Sequence, residues 1–314
     1  MKLKEIKLNE TFNGPLLIKF AKKGVTTKGS NYISLTLADS TGEISGNIWS
    51  STSEQEEMFI SGALVILTGQ ISEYNSKKQI TIKKIRLATK EDKVDMSQLL
   101  QKAPLDANKM LEAIANEIKN FKNEKIKAIT FELMKENAEE FKTHAAAKNI
   151  HHEYISGLAF HTYSMLQVGK AMCELYPVLN KDLLLAGIII HDIGKIVEYT
   201  KHPKVEKTLD GRLRGHITIV SEMIAFVADK LGLTDSQEKL LLQHMVLSHH
   251  GLQENGWGSA VSPLTIEAEI LHKIDTIDAE IEMYKKAVAV TDKNKFTSKI
   301  WGMDSREFYN HGLE

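Results

Sequence analysis

Between residues 12 and 88, hydrophobic and polar positions alternate with a period of two, the mark of strands that bury one face. In YISLTLAD, Ile33, Leu35 and Leu37 share one face and Tyr32, Ser34 and Thr36 the other. A turn at Ser40–Thr41–Gly42 leads into EISGNIW, with Ile44 and Ile48 inward and Asn47 and Trp49 outward. The polar stretch SSTSEQEE has room for a short helix. ALVILTGQISEY and KKQITIKKIRL then read as two further strands, joined by a turn at Tyr74–Asn75–Ser76–Lys77, and PLLIKFAKK reads as the first strand of the set.

Five short strands, with one helical connection between the third and fourth, predict an OB-like barrel over residues 1–90; a small SH3-like barrel is the competing reading. Residues 91–108 lose the alternation and carry Pro104, which makes them a linker. The period then changes to that of helices. Leu111, Ile114, Ile118 and Phe121 fall on one face, as do Ile217, Val220, Ile224, Val227 and Leu231. A last long helix carries Ile266, Ile270, Ile274, Ile277, Ile281, Tyr284 and Val288 on one stripe, and the Lys/Glu-rich stretch from Lys119 to Lys142 reads as a solvated helix face. The expected architecture is multidomain, β followed by all-α: a five-stranded barrel and an all-helical domain over 109–314.

Composition is that of an ordinary globular protein, 42% hydrophobic and 26% charged. The net charge of −1 hides an asymmetry: residues 1–90 hold thirteen basic and eight acidic residues, the remainder 27 basic and 33 acidic. A basic front end suits a phosphate-rich partner. The single cysteine, Cys173, excludes an intramolecular disulfide and sits in a helical run as a buried thiol. MKLKEIKLNE has no apolar core of signal-peptide length, and the longest apolar stretch, Leu183 to Ile190, falls far short of the roughly 20 residues needed to span a bilayer. No membrane association and a cytoplasmic location are the expectation.

Chemistry concentrates in the helical part. Of twelve histidines, several stand in short settings: GLAFHTYSM around His161, AGIIIHDIGK around His191 and Asp192, RGHITIV around His216, and LSHHG at His249 and His250, followed by Asp275 in LHKIDTIDAE. His191–Asp192 follows a buried run, His216 opens an amphipathic helix, and His249–His250 closes one that Gly251 can cap. Helix ends let a polar side chain face a cleft while its neighbours pack a core. Imidazole plus carboxylate suits borderline divalent ions (Mn, Fe, Co or Zn), with no thiolate to favour softer ones. Seven candidate ligands exceed what one ion needs and point to two, with Asp192 as the bridge. Two ions roughly 3.5–4 Å apart activate a water and hold both oxygens of an in-line phosphoryl displacement. Asp278, one turn beyond Asp275, competes for the carboxylate role, and either histidine of the His249–His250 pair can be the ligand. His144, His151, His152, His202 and His311 lack a matching context and read as ordinary histidines. Lys195, one turn beyond Asp192, can reach a phosphate and offset developing charge, or be a surface lysine. Arg212 and Arg214 read equally as contacts to a flanking phosphate and as a solvated basic loop.

On the barrel, Tyr32 and Trp49 project from neighbouring strands on the outward face, with Lys83, Lys84 and Arg86 nearby. This is a pattern for stacking bases and attracting phosphates without reading sequence, although Trp49 can equally be a packing aromatic.

The ordered settings His161, His191–Asp192, His216, His249–His250 and Asp275 resemble the HD phosphohydrolase superfamily, over roughly residues 150–285. The intermediate histidines are similar to those of its two-metal branch. The cyclic-dinucleotide branch shares an HDIGK-like box, but position 157 is Gly where its members can carry Glu, and no Gly-Tyr-Pro signature occurs. A strand-rich front end fused to such a domain resembles the YhaM family of 3′–5′ exoribonucleases along nearly the whole chain. That resemblance implies an OB-fold RNA-binding module, a catalytic domain dependent on divalent metal (typically manganese), single-stranded RNA as partner, and 3′-to-5′ polarity, which no residue here gives by itself. The expected activity is hydrolysis of RNA to nucleoside 5′-monophosphates by a two-metal-activated water. Its rivals are a phosphohydrolase of a free nucleotide or cyclic dinucleotide, and a non-catalytic RNA-binding protein with a structural metal. Physiological RNA, preference over single-stranded DNA, native metal and oligomeric state are left open.

Overall fold

The computed structural model describes residues 2–74, 77–146, 152–255 and 258–313. The chain divides into two compact units, Met1–Lys102 with Lys201–Val205, and Ala103–Thr200 with Glu206–Glu314.

The first unit is a closed barrel with strand order β1-β2-β3-β5-β4, the OB architecture. Its strands are β1 (Thr11–Val25), β2 (Asn31–Asp39), β3 (Gly42–Trp49), β4 (Leu64–Tyr74) and β5 (Lys77–Leu87). Helix α1 (Ser53–Met58) sits between the third and fourth strands, opened by a capping box in which the Thr52 hydroxyl accepts from Gln55 N–H and the Gln55 side chain accepts from Thr52 N–H. The alternation sets the inside: Ile33, Leu35, Leu37, Ile44, Ile48, Val65, Leu67, Ile71 and Ile80 form one buried cluster with Leu16, Ile18 and Phe12. The buried carboxylate of Asp39 fixes the β2–β3 turn by accepting from Thr41 N–H and Gly42 N–H. The first strand is longer than PLLIKFAKK, because residues from Thr11 onward pair with β4 and those to Val25 pair with β2, across a bulge between Ile18 and Phe20. Asn75 and Ser76 of the predicted β4–β5 turn lie outside the described residues.

The second unit packs helices α2 (Ala107–Lys119), α3 (Glu124–Thr143), α4 (Gly157–Leu175), α5 (Lys181–Ile190), α6 (Lys195–Glu198), α7 (Leu209–Leu213), α8 (Gly215–Lys230), α9 (Gln237–Ser248) and α10 (Ile266–Ala289). α5 is buried along its length and lies at the centre of one core with Ile114, Ile129, Leu133, Leu166, Val220, Met245 and Leu271. The stripe predicted on α10 divides. Ile274 enters the core beside Leu271, which lies off that stripe, whereas Ile277 and Ile281 are about half exposed and, with Tyr284, line a cavity of about 370 Å³ together with Met303, Phe308 and Tyr309. The C-terminal stretch is not helical: β6 (Lys295–Phe296) and β7 (Tyr309–Asn310) form a short antiparallel ladder with the Phe296 and Tyr309 rings 5.3 Å apart. Two-residue strands leave no periodic trace in a sequence. Among the described residues no helix is long and apolar enough to cross a membrane.

Candidate metal centre

The helix ends converge around the central helix. His191 caps the C-terminus of α5 and Asp192 follows it; Lys195 opens α6; His216 is the second residue of α8; His249 caps α9 and His250 follows. His161 on α4 and Asp275 on α10 complete the ring. His161, His191 and His249 are fully buried, and Asp192 is 2% exposed.

Asp192 divides this ring. Its Oδ2 lies 3.5 Å from His161 Nε2 and 3.3 Å from His191 Nε2, while its Oδ1 lies 3.3 Å from His216 Nε2 and 3.9 Å from His249 Nε2. Asp275 Oδ1 stands 3.3 Å from His161 Nε2. Among the described residues, ligand atoms fall within 4.8 Å of one another in four sets: His161, His191 and Asp192; His191, His249 and Asp275; His216, His249 and His250; and His152, His161 and Asp278. Buried polar atoms ordinarily find hydrogen bonds. Here Nε2 of His191, His216 and His249 and Oδ1 of Asp192 have none, although all are buried and aimed at a common centre. Atoms left bare in this arrangement fit divalent cations, and an imidazole–carboxylate donor set without sulfur suits the borderline metals.

The protonation states agree with that fit. Burial pushes Asp192 up, but Lys195, His191 and His161 outweigh it and hold the carboxyl well below the usual range. Asp275 is likewise held down, burial being overcome by His161. Burial drives His249 well below the usual imidazole value, helped by His250 and His191, and lowers His250 too, helped by His216. Neutral rings and ionised carboxylates are the forms that ligate metal. His161 runs the other way: burial lowers it, yet Asp192, Asp275 and Asp278 together raise it well above the usual value. Three carboxylates around one ring call for positive charge at this spot, which a cation supplies.

Lys195 is buried, not a surface lysine; its Nζ lies 2.6 Å from Asp192 Oδ2. Asp275 and Asp278 take different places on the same histidine, Asp275 beside Nε2 and Asp278 accepting from Nδ1 at 2.7 Å. Two residues escaped the sequence reading. Glu198 is buried and accepts from His216 Nδ1 at 2.8 Å. His152, read as ordinary, is fully buried, with Nε2 2.7 Å from Asp278 Oδ2 and Nδ1 2.6 Å from the Tyr154 hydroxyl. Neither had a local signal, since only the fold brings them to their partners. His144 is buried against the Glu140 carbonyl at 2.9 Å, and His151 lies outside the described residues.

On the barrel, Tyr32 and Trp49 are cross-strand partners with ring centroids 5.4 Å apart, and Trp49 is 62% exposed. Phe20, 54% exposed, pairs with Thr36 on the same outward face and was not foreseen. Lys83 and Lys84 are exposed. Two expected phosphate contacts carry acidic partners instead: Arg86 makes two hydrogen bonds to Asp92, at 2.7 and 2.6 Å, and Arg214 pairs with Asp210 and Glu222. Arg212 is exposed.

The HD domain family matches residues 158–280, and the OB-fold nucleic acid binding domain family matches residues 19–88. A 3'-5' exoribonuclease YhaM of Oceanobacillus iheyensis is 40% identical over 98% of this chain and 96% of its own. That of Halalkalibacterium halodurans is 42% identical over 96% and 93%, and that of Listeria monocytogenes 39% identical over 100% and 99%. Among solved structures, the second OB-fold domain of replication protein A from Methanococcus maripaludis matches 28% of this chain and 92% of its own at 24% identity, with a TM-score of 0.21, too slight a likeness to build on. With relatives at this identity along its whole length, the chain belongs to the YhaM family of 3′–5′ exoribonucleases.

Proposed function

We propose that this chain is a metal-dependent exoribonuclease that degrades single-stranded RNA from the 3′ end and releases nucleoside 5′-monophosphates, using two divalent ions, manganese best. The observation that carries the two-ion reading is the division of Asp192, whose Oδ2 faces the Nε2 atoms of His161 and His191 and whose Oδ1 faces those of His216 and His249. In this reading His161, His191 and Asp275 would hold one ion and His216, His249 and His250 the other, with Asp192 a ligand that both would share. Such a pair of ions, when bound, activates a water for in-line attack on phosphorus and steadies the leaving oxygen. The chain's own groups do the rest. The Lys195 ammonium, fixed against Asp192, stands where a non-bridging phosphate oxygen gains a counter-charge. Burial of the ring keeps bulk water from screening these charges. Residues 1–90 act as the RNA-binding module, with 91–108 as linker and 109–314 as the catalytic domain. Tyr32, Trp49 and Phe20 give bases a surface to stack on, with Lys83, Lys84 and Arg212 as cationic contacts to the backbone.

Digestion of RNA labelled at one end, by wild type and Asp192→Asn, with EDTA and with added Mn²⁺ or Mg²⁺, tests this reading. We expect stepwise shortening from the 3′ end, loss with EDTA, recovery better with Mn²⁺ because imidazole-rich sites bind Mg²⁺ poorly, and a loss of at least about a hundredfold in the variant with RNA binding retained. Turnover of free nucleotides or cyclic dinucleotides in place of RNA would overturn the substrate assignment.

A further inference from the structure

Four imidazoles present Nε2 to the centre, and a ring can do that only if its proton sits on Nδ1 and is held there. The helix geometry supplies the holder in two cases. His191 and His249 stand at helix C-termini, where the last carbonyls have no intrahelical partner. Their Nδ1 atoms reach back three residues, to the Ile188 carbonyl at 2.9 Å and the Val246 carbonyl at 2.7 Å. His161 and His216 lie near helix N-termini, as the fifth residue of α4 and the second of α8. There the spare backbone groups are N–H donors, which cannot accept a proton from a ring. Each of these two rings has a side-chain carboxylate instead: the partly buried Asp278 for His161 at 2.7 Å, the buried Glu198 for His216 at 2.8 Å.

The two carboxylates are themselves tethered. Asp278 Oδ2 also meets His152 Nε2 at 2.7 Å, and its Oδ1 accepts from the Ser164 hydroxyl. Glu198 Oε1 pairs with Lys207 Nζ at 2.7 Å. His161 and His216 lie on opposite sides of the Asp192 bridge, against Oδ2 and Oδ1 respectively.

We propose that Asp278 and Glu198 are positioning residues, one for each half of the centre, that fix the tautomer and orientation of His161 and His216 and thereby set the affinity of each half for its divalent ion. The inference rests on the two-ion reading. It makes Asp278 a partner of a ligand and not a ligand, and it gives His152 the part of holding Asp278. His161 and His216 would be the stronger donors of their halves, since a ring backed by a carboxylate is more basic than one backed by a carbonyl.

The test uses the full chain, stripped of metal and titrated with Mn²⁺ by calorimetry and by electron paramagnetic resonance, which distinguishes a coupled Mn pair from an isolated ion. Wild type should take up two ions. Asp278→Asn and Glu198→Gln keep volume and an acceptor oxygen but lose the charge. Each should retain one ion and weaken the other by roughly 10–100-fold, with the coupled-pair signal lost at equal Mn²⁺. Glu198→Ala, lacking the acceptor as well, should weaken that ion further than Glu198→Gln. The double variant should lose both. Circular dichroism of the metal-free proteins reports folding; should Glu198→Gln not fold, Glu198→Asp, which keeps the charge but draws the carboxylate back from His216 Nδ1, should weaken the same ion through lost positioning. Two ions bound with unchanged affinity in both single variants would overturn the proposal. A wild type that binds one ion would sink the two-ion reading separately, and the positioning role would then fail only if neither variant weakens that ion.

Discussion

Replacing Gly194 by alanine tests whether the spacing of α6 and α8, and not the ligands alone, builds the metal centre. Gly194 lies between Asp192 and Lys195, and a Cβ there would stand 2.6 Å from the His216 carbonyl oxygen and 2.8 Å from Val220 Cγ2. Real Cβ contacts essentially never fall below 3.0 Å, and the obstructing atom is backbone, so α8 must retreat by at least about 0.4 Å. Metal–ligand distances tolerate only about 0.2 Å, so His216 is carried out of range of an ion that the other ligands hold in place. Overpacking of this kind costs on the order of 1–3 kcal/mol, which in a unit of this size lowers the melting temperature by several degrees. The loss of function should be larger than that, about ten- to a hundredfold in kcat, because a displaced ligand weakens the transition state beyond the ground state. Gly187→Ala is the control. Its Cβ meets Met245 Cε at 2.5 Å, the far end of a flexible side chain that can swing aside, so both activity and Mn²⁺ affinity should survive. The assay is hydrolysis of end-labelled RNA alongside Mn²⁺ titration and thermal melting of both variants. Gly194→Ala with wild-type metal affinity and turnover would refute the reasoning.

Trp49→Ala should lower kcat/KM on long RNA by roughly five- to a hundredfold, the worth of one stacked base, and leave cleavage of a dinucleotide unchanged; equal loss on both substrates would remove Trp49 from RNA binding. Glu117 is buried and pairs with Lys170 at 3.0 Å and Lys181 at 2.9 Å; burial raises its pKa, but the two lysines outweigh that and leave it below the ordinary carboxylate value. A depressed folded-state pKa means that its contribution is complete above the unfolded value, about 4.3, and disappears as pH falls below it. Thermal melts from pH 6 down to pH 3.5 should therefore decline less steeply for Glu117→Gln than for wild type, and parallel curves would contradict the pairing.

How much of this was legible follows from what each feature leaves in the sequence. The barrel was readable because a period of two, repeated over five runs, admits few folds: Ile33, Leu35, Leu37, Ile44 and Ile48 are buried together as their alternation requires. On α10 the same reasoning over-reached. A stripe of seven apolar positions says that a surface is covered but not by what, and Ile277 and Ile281 face a cavity lined by the C-terminal segment while Ile274 enters the main core. The arginines show a related limit. Asp92 lies six residues from Arg86 and Asp210 four from Arg214, close enough to have been weighed as partners, but charge counting over a segment does not see pairing.

The centre itself divides along a physical line. Residues that point inward from a helix end sit beside a change of pattern, such as the apolar run before His191 or Gly251 after His250, and that break is visible in one dimension. Residues that support them have no such break. Glu198 sits on the one-turn helix α6 and reads as an unremarkable acid after Val197; it becomes meaningful only because α8 begins where His216 can reach it. His152 stands nine residues before His161 and meets it through Asp278, 117 positions further along from His161. The asymmetry has a cause in the backbone. A histidine at a helix C-terminus finds its acceptor in the preceding turn, so its setting is local and legible, whereas one at an N-terminus must take its acceptor from elsewhere in the fold. Glu198, which left no mark in the sequence, backs one such N-terminal histidine, and Asp278, legible there only as a rival ligand, backs the other.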